Sequence, residues 1–315
     1  MKPVSAAQER PEAYTWRWSF LAPKYWLMWL WFALLWLITR LPVSVVQAVG
    51  AFVGRLFYRF ANSRRRVALR NLALCFPEKT DAERDAICRK SFEGMGMTLF
   101  ESGIVWWSSF ARMQRLTRIE NAEGLQKALA SGQGVMMVGM HNTCLEMSYA
   151  AIAFQHPFSA IYRIHDNPLW ECISGWGRLR YNIGLIGRKN VRAFIAALQA
   201  GELTLMAPDQ DLGKRRAVFA PFFGVSTAWV TSACDFPEQA GAKVIFVSVR
   251  REFGSAAPYR ITFSEPLDNF PSGDKQADMS RISRMTEEAI RLDPSQYLWA
   301  HRRFKSRPEG EADLY

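Results

Sequence analysis

Apolar and polar positions change their period along this chain. Near the N-terminus, Tyr25 to Ile38 reads YWLMWLWFALLWLI, a run without a charge between Lys24 and Arg40. From about residue 120 the pattern becomes short apolar runs separated by amphipathic stretches. Glu123 to Ala130 has helical spacing and stops at Gly132, and Val135 to Gly139 is a continuous apolar run of strand length. Phe158 to Tyr162, Leu203 to Met206, Lys243 to Arg250 and Tyr259 to Phe263 read as further strands. Pro168 to Arg180, Val191 to Leu198 (Asn190 as N-cap, Gly201 as stop) and Asp278 to Leu292 read as helices. This alternation predicts an α/β fold: a mostly parallel central sheet flanked by helices, with an N-terminal hydrophobic membrane-anchoring helix. In such a sheet a site gathers at the carboxyl ends of the strands. The chain divides into a tail and anchor over 1–60 (apolar helix about 20–39), a main domain over 61–310 and a tail over 311–315.

The N-terminal run fits a membrane better than a core. Six of the twelve tryptophans fall between Trp16 and Trp36, and tryptophan favours the membrane interface. Fourteen residues make roughly 21 Å of helix, short of the ~30 Å hydrocarbon layer. Two placements stay open: a span extended by Phe20 to Ala22, with Lys24 snorkelling, or a helix lying in the interface plane. A cleaved signal peptide is not expected, because no small-residue cleavage site follows. The arginines just beyond the apolar segment place the rest of the chain on the cytoplasmic side.

Charge and cysteine content narrow the class. The net charge is +11, with one basic group at Arg64, Arg65, Arg66 and Arg70 and another at Arg302, Arg303, Lys305 and Arg307. Such groups suit an anionic membrane surface, a phosphorylated ligand, an acidic protein or a nucleic acid, and no nucleic-acid-binding motif supports the last. The five cysteines form no CxxC pair, which argues against both a disulfide framework and a zinc site.

The most informative segment is His141-Asn142-Thr143-Cys144-Leu145-Glu146, directly after the Val135–Gly139 strand. Residues five apart on a regular helix point away from each other. The two meet only if His141 sits in the turn and Glu146 reaches back from the first helical turn. A carboxylate there would fix the imidazole tautomer, as a general base requires. Spacing alone leaves this open against a satisfied strand-end histidine. Asp209 and Asp211 follow the Leu203–Met206 strand and can face the same crevice. They are candidates for holding substrate hydroxyls or nearby arginines, against the alternative of a turn with local hydrogen bonds. Arg163, after a strand, and Arg188, after Gly187, are candidates for an anionic group. Cys144 is too weak a signal for a thiolate nucleophile. The Asp209-Gln210-Asp211 turn lacks the later acids of a calcium loop and there is no HExxH, so no metal is expected. Walker, dinucleotide-binding and GxSxG motifs are all absent.

Together these pieces resemble the lysophospholipid-type acyltransferase superfamily, marked by a histidine, four residues and an acid. More closely the chain resembles the late acyltransferases of bacterial lipid A biosynthesis, the lauroyl/myristoyl group. The resemblance runs from about Pro23 to Glu309. It is carried by Arg70-Asn71-Leu72 with Cys75-Phe76-Pro77, Phe100-Glu101 with Trp106-Trp107, and the HNTCLE block. Further blocks are Tyr162-Arg163 with Asn167-Pro168, Ala207 to Asp211, Val218 to Gly224, Gln296 to Trp299 and His301 to Lys305. It implies transfer of an acyl chain, lauroyl above others, from acyl carrier protein to a hydroxyl of a tetraacylated, Kdo-bearing lipid A precursor. That reaction takes place at the cytoplasmic face of the bacterial inner membrane and needs no cofactor beyond the acyl-carrier donor. The alternatives are a myristoyl, palmitoleoyl or hydroxylated chain at the second position, or a phospholipid or glycolipid acceptor. The resemblance maps the catalytic pair onto His141 and Glu146, and Arg302 and Arg303 are candidates for docking the carrier. Two departures stand out: the acid is Glu rather than Asp, and Ala233 to Glu238 carries Asp, Pro and Glu where an apolar helix belongs. A break or shift of that helix is therefore expected.

Overall fold

The computed structural model describes residues 14–315, so the first thirteen residues of the expected N-terminal tail lie outside it. Four helices come first: α1 (Trp26–Ile38), α2 (Val43–Phe60), α3 (Asn62–Cys75) and α4 (Asp81–Trp107). Helix α5 (Phe110–Leu116) leads into β1 (Thr117–Glu120) and α6 (Ala122–Ala130). Strands and helices then alternate through β2 (Val135–Val138), α7 (Leu145–Gln155), β3 (Phe158–Tyr162), α8 (Pro168–Leu179), β4 (Ile183–Gly187), α9 (Val191–Gln199) and β5 (Leu203–Met206). A hairpin of β6 (Ala217–Phe222) and β7 (Val225–Val230) precedes α10 (Ser232–Ala240), β8 (Lys243–Arg251), β9 (Tyr259–Phe263) and α11 (Lys275–Leu292).

The main sheet has seven strands in the order β1-β9-β8-β2-β5-β3-β4. The five from β8 to β4 are mutually parallel, and β9 and β1 run the other way along one edge. The mostly parallel α/β architecture is therefore as the pattern predicts. Successive strand residues feed opposite faces. Val135, Met137, Leu203 and Leu205 pack with Phe32, Phe100, Met147 and Leu169 from α1, α4, α7 and α8. Met136, Val138, Val244 and Phe246 pack with Leu72, Phe194, Ala233 and Ile282 from α3, α9, α10 and α11. Strands buried on both faces explain the continuous apolar runs.

Several elements differ from the pattern. Strands β1 and β4 and the β6–β7 hairpin were not predicted. Phe223 and Gly224 both take positive φ at the tip of the hairpin, 49° and 77°, as a two-residue turn of the primed type requires. Helix α10 is unbroken. Pro237 lies inside it but near its end, where it forfeits one backbone bond and packs buried beside Phe236. Asp235 is held by the Thr231 hydroxyl at 2.6 Å and by Lys275 at 2.6 Å.

The apolar N-terminal helix exists, but α1 has only 13 residues. Among the described residues no helix is long and apolar enough to cross a membrane, so the transmembrane form of that expectation is not met. One side of α1 and α2 joins the core through Phe32, Leu35 and Val46. Their other side leaves Trp26, Leu27, Leu30, Phe52, Phe57 and Phe60 exposed. Helix α2 lies almost on the backbone of α4, and this close approach requires glycine. A Cβ on Gly54 would overlap the Phe92 carbonyl, and one on Gly96 the Gly50 carbonyl.

Candidate active site

Strand register builds the site. Strands β2 and β5 are adjacent and parallel, with Val138 opposite Met206. Three residues beyond each lie His141 and Asp209, so the two chains leave the sheet side by side with those residues facing each other. Asp209 accepts the His141 backbone N–H at 2.9 Å through one oxygen and meets Nδ1 at 2.7 Å through the other. The Asp209 side chain is 1% exposed and that of His141 29%. Burial disfavours the carboxylate, yet the His141 charge and two hydrogen bonds outweigh it and hold the Asp209 pKa at about 2. For His141, burial disfavours the imidazolium and the Asp209 charge overrides it, so its pKa lies above the ordinary value. An ionised Asp209 only accepts, which fixes the proton on Nδ1 and leaves Nε2 as the basic nitrogen.

The expected His141–Glu146 pairing is thereby corrected: the carboxylate on the imidazole is Asp209. Glu146, in the first turn of α7, instead takes Arg178 of α8, with Nε at 2.8 Å and Nη2 at 3.1 Å on its two oxygens. The Trp106 indole N–H reaches the same carboxylate at 3.5 Å. Helix geometry is the reason, because the strand neighbour is closer to the imidazole than a residue five positions along a turn into a helix.

The loop between them is held from several sides. Thr143 N–H donates to the Gln296 carbonyl at 2.8 Å, and Leu298 N–H donates to the His141 carbonyl at 3.1 Å. Asn142 donates to the Val249 carbonyl at 2.8 Å and accepts the Cys144 N–H at 2.9 Å. Below it lies a fully buried ion pair: Arg251 meets Glu101 at 2.8 and 2.7 Å, and its guanidinium also donates to the Thr143 hydroxyl and carbonyl. Tyr259 adds a hydrogen bond to Glu101 at 2.6 Å. Glu101 lies in the Phe100-Glu101 block, but the sequence marks neither it nor Arg251 and Arg178 as part of a site. Nothing in local spacing links residues so far apart. Cys144 is buried, its thiol donates to Asn142, and burial pushes its pKa up to about 12, so it is filler.

The remaining candidates separate. Both Asp211 oxygens are taken, by Ser306 N–H at 2.6 Å, the Ser306 hydroxyl at 2.8 Å and Gly213 N–H at 2.9 Å. The residue is buried, so Asp211 shapes the turn instead of facing a ligand. Arg163 is exposed and paired with Asp166 at 2.8 Å. Arg163 and Arg188 meet at one open cavity of about 400 Å³ beyond β3 and β4, where Lys189 joins them. Arg188 also borders a second cavity of about 290 Å³ that reaches His141. Its walls include Leu145, Tyr149, Ala160, Leu205, Met206 and Phe236. Arg303 is not on the surface: it is 1% exposed, donates to the Ala228 carbonyl at 2.7 Å and stacks on Trp229 at 4.3 Å. It therefore cannot dock a partner.

No group of three or more metal-ligating side chains occurs among the described residues. What the crevice offers is a buried carboxylate, an oriented imidazole with a free nitrogen, and an apolar cavity beside it. That combination can take a proton from a hydroxyl next to a hydrocarbon chain.

Comparison with known proteins agrees in kind. The family described as "Bacterial lipid A biosynthesis acyltransferase" matches residues 14–306. The chain is 36% identical over 299 residues to the lipid A biosynthesis lauroyltransferase of Escherichia coli (strain K12), covering 94% of this chain and 97% of that one. It is also 36% identical to the palmitoleoyltransferase of that organism over 298 residues, with the same coverage. Identity to its myristoyltransferase is 25% over 299 residues, covering 94% and 92%. The chain is a member of the bacterial lipid A biosynthesis acyltransferase family.

Proposed function

We propose that this enzyme moves a lauroyl-type chain from acyl carrier protein to a hydroxyl of a tetraacylated, Kdo-bearing lipid A precursor. The observation that carries the reading is the His141–Asp209 pair, with Nε2 unoccupied beside an apolar cavity. In the proposed step Nε2 takes the hydroxyl proton as the oxygen attacks the thioester carbonyl. The carbon–sulfur bond then breaks, and the imidazolium returns the proton to the departing thiolate. A thiolate leaves readily, so no covalent enzyme intermediate is needed. Asp209 stabilises the imidazolium, and the Glu146–Arg178 pair ties the first turn of α7 to α8 just beyond the loop.

Arg163, Arg188 and Lys189 suit the phosphate of a glycolipid headgroup, with Arg163 exchanging Asp166 for substrate. The greater identity to lauroyl- and palmitoleoyl-transferases than to a myristoyltransferase supports a lauroyl- or palmitoleoyl-type donor over a myristoyl one. The exposed apolar sides of α1 and α2 suit the inner membrane, with both helices lying in its interface and not spanning it. Lys24 over Tyr25 and Arg40 over Trp36 place cations at both ends of α1, where they would meet headgroups.

The test is mass spectrometry of the products formed from lauroyl-carrier protein and the tetraacylated precursor. One added lauroyl ester on the precursor is expected. Transfer only to a glycerophosphate acceptor, or none, would contradict the reading.

A further inference from the structure

The two basic groups far apart in the sequence meet in the fold. A groove of about 550 Å³ is lined by Arg66 and Arg70 of α3, by Arg302, and by Ser63, Asp313 and Tyr315. The three arginines are exposed, and Arg64 lies exposed next to them. None of the ion pairs among the described residues involves Arg66, Arg70 or Arg302. Arg70 Nε holds the Leu314 carbonyl at 2.7 Å, and Arg302 lies over the Tyr315 ring. The one acidic side chain on the wall, Asp313, accepts the Tyr315 N–H at 3.1 Å. With three arginines against one acidic side chain the groove is net positive, which favours an anionic partner.

Its walls are tied to the catalytic loop. Asn71, next to Arg70, donates to the Trp299 and His301 carbonyls, both at 2.7 Å. One residue before Trp299, Leu298 N–H holds the His141 carbonyl, and His301 Nε2 accepts the Asp211 N–H at 3.1 Å. The segment 298–302 thus touches His141 at one end and carries Arg302 into the groove at the other.

We propose that this groove receives the acidic face of the carrier protein, setting the donor thioester at the mouth of the His141 crevice. The inference rests on the reading that the donor is a carrier-protein thioester. A lipid surface is the less suitable occupant. The apolar sides of α1 and α2 already supply a membrane face, and a flat bilayer needs neither a concave groove nor its connection to His141.

The experiment compares kcat/KM for lauroyl-carrier protein with that for lauroyl-coenzyme A, a donor lacking the protein, in wild type and in Arg66→Glu with Arg302→Glu. The ratio of the two is expected to fall about tenfold or more, mainly through KM for the carrier form, and added salt should lower the wild-type ratio in the same direction. Arg66→Lys with Arg302→Lys keeps the charge and should restore the ratio. A wild type that uses lauroyl-carrier protein while the charge-reversed variant keeps the same ratio overturns the groove. So does an unchanged ratio accompanied by lost binding to phosphatidylglycerol vesicles, which assigns the groove to lipid. A wild type that transfers nothing from lauroyl-carrier protein overturns the donor reading, and the groove proposal with it.

Discussion

Two carboxylates flank the HNTCLE loop, and they have different partners for different reasons. Asp209 arrives from the neighbouring strand, is buried, and holds the histidine with both oxygens. Glu146 arrives from the helix that the loop starts, is partly exposed, and holds an arginine from α8. The one close to His141 in sequence is not the one bonded to it. Parallel-strand register carries position more faithfully than a five-residue count into a helix, because register fixes both ends of a contact.

The comparison can be broken in steps of decreasing size. His141→Ala removes the proposed base, and kcat should fall about 10²–10⁴-fold with the fold intact. Near-normal transfer would remove the imidazole from the chemistry. Arg251→Met strands Glu101 as a buried unpaired charge, and a denaturation midpoint should report a loss of about 3–5 kcal/mol. Adding Glu101→Leu should recover much of that stability but not the rate, since Thr143 still lacks its clamp. Glu146→Gln weakens the Arg178 pair that ties the first turn of α7 to α8 and is expected to lower kcat/KM about 10–10²-fold through misplacement of the loop. The acidic limb of its pH profile should stay where it is in wild type. If that limb moved, Glu146 and not Asp209 would be the charge sensed by the histidine. Cys144→Ala should be the mildest, about 1 kcal/mol in stability with transfer retained. Loss of transfer would reinstate the thiol.

Much of the fold was legible because its strands are short apolar runs between amphipathic stretches. Val135–Val138, Phe158–Tyr162, Leu203–Met206 and Tyr259–Phe263 fall where the pattern puts them. The hairpin was missed because Ala217 to Val230 lacks clean alternation and its turn, Phe223-Gly224, has only one of the residues that mark such turns. Helix α10 looked broken because Asp235 and Pro237 are poor interior residues. It survives because Thr231 and Lys275 satisfy the acid and Pro237 sits late in a short helix. In the site, His141 and Asp209 were both visible as strand-end residues facing one crevice, while their pairing was not, because register is a property of two strands at once. Arg178, Glu101 and Arg251 act across distant elements, where spacing carries no information. Arg303 was misplaced for the opposite reason: its basic neighbours suggested a surface, while Trp229 and the Ala228 carbonyl draw its guanidinium inward.

The pair also predicts its own pH behaviour. The Asp209 pKa is depressed, so its share of stability is present above the unfolded value of about 3.8 and fades as pH falls toward about 2. The His141 pKa is raised, so its share is present below about 6.5 and is lost as pH rises through the folded value. The interaction is thus strongest between those limits, whereas transfer needs neutral His141 and should rise above them.

The most direct measurement is the titration of the His141 ring by NMR of 15N-histidine-labelled enzyme, in wild type, Asp209→Asn and Glu146→Gln. The account predicts a raised pKa in wild type with the neutral-form proton on Nδ1, a lowered pKa in Asp209→Asn, and no change in Glu146→Gln. A pKa that drops in Glu146→Gln and holds in Asp209→Asn would contradict it.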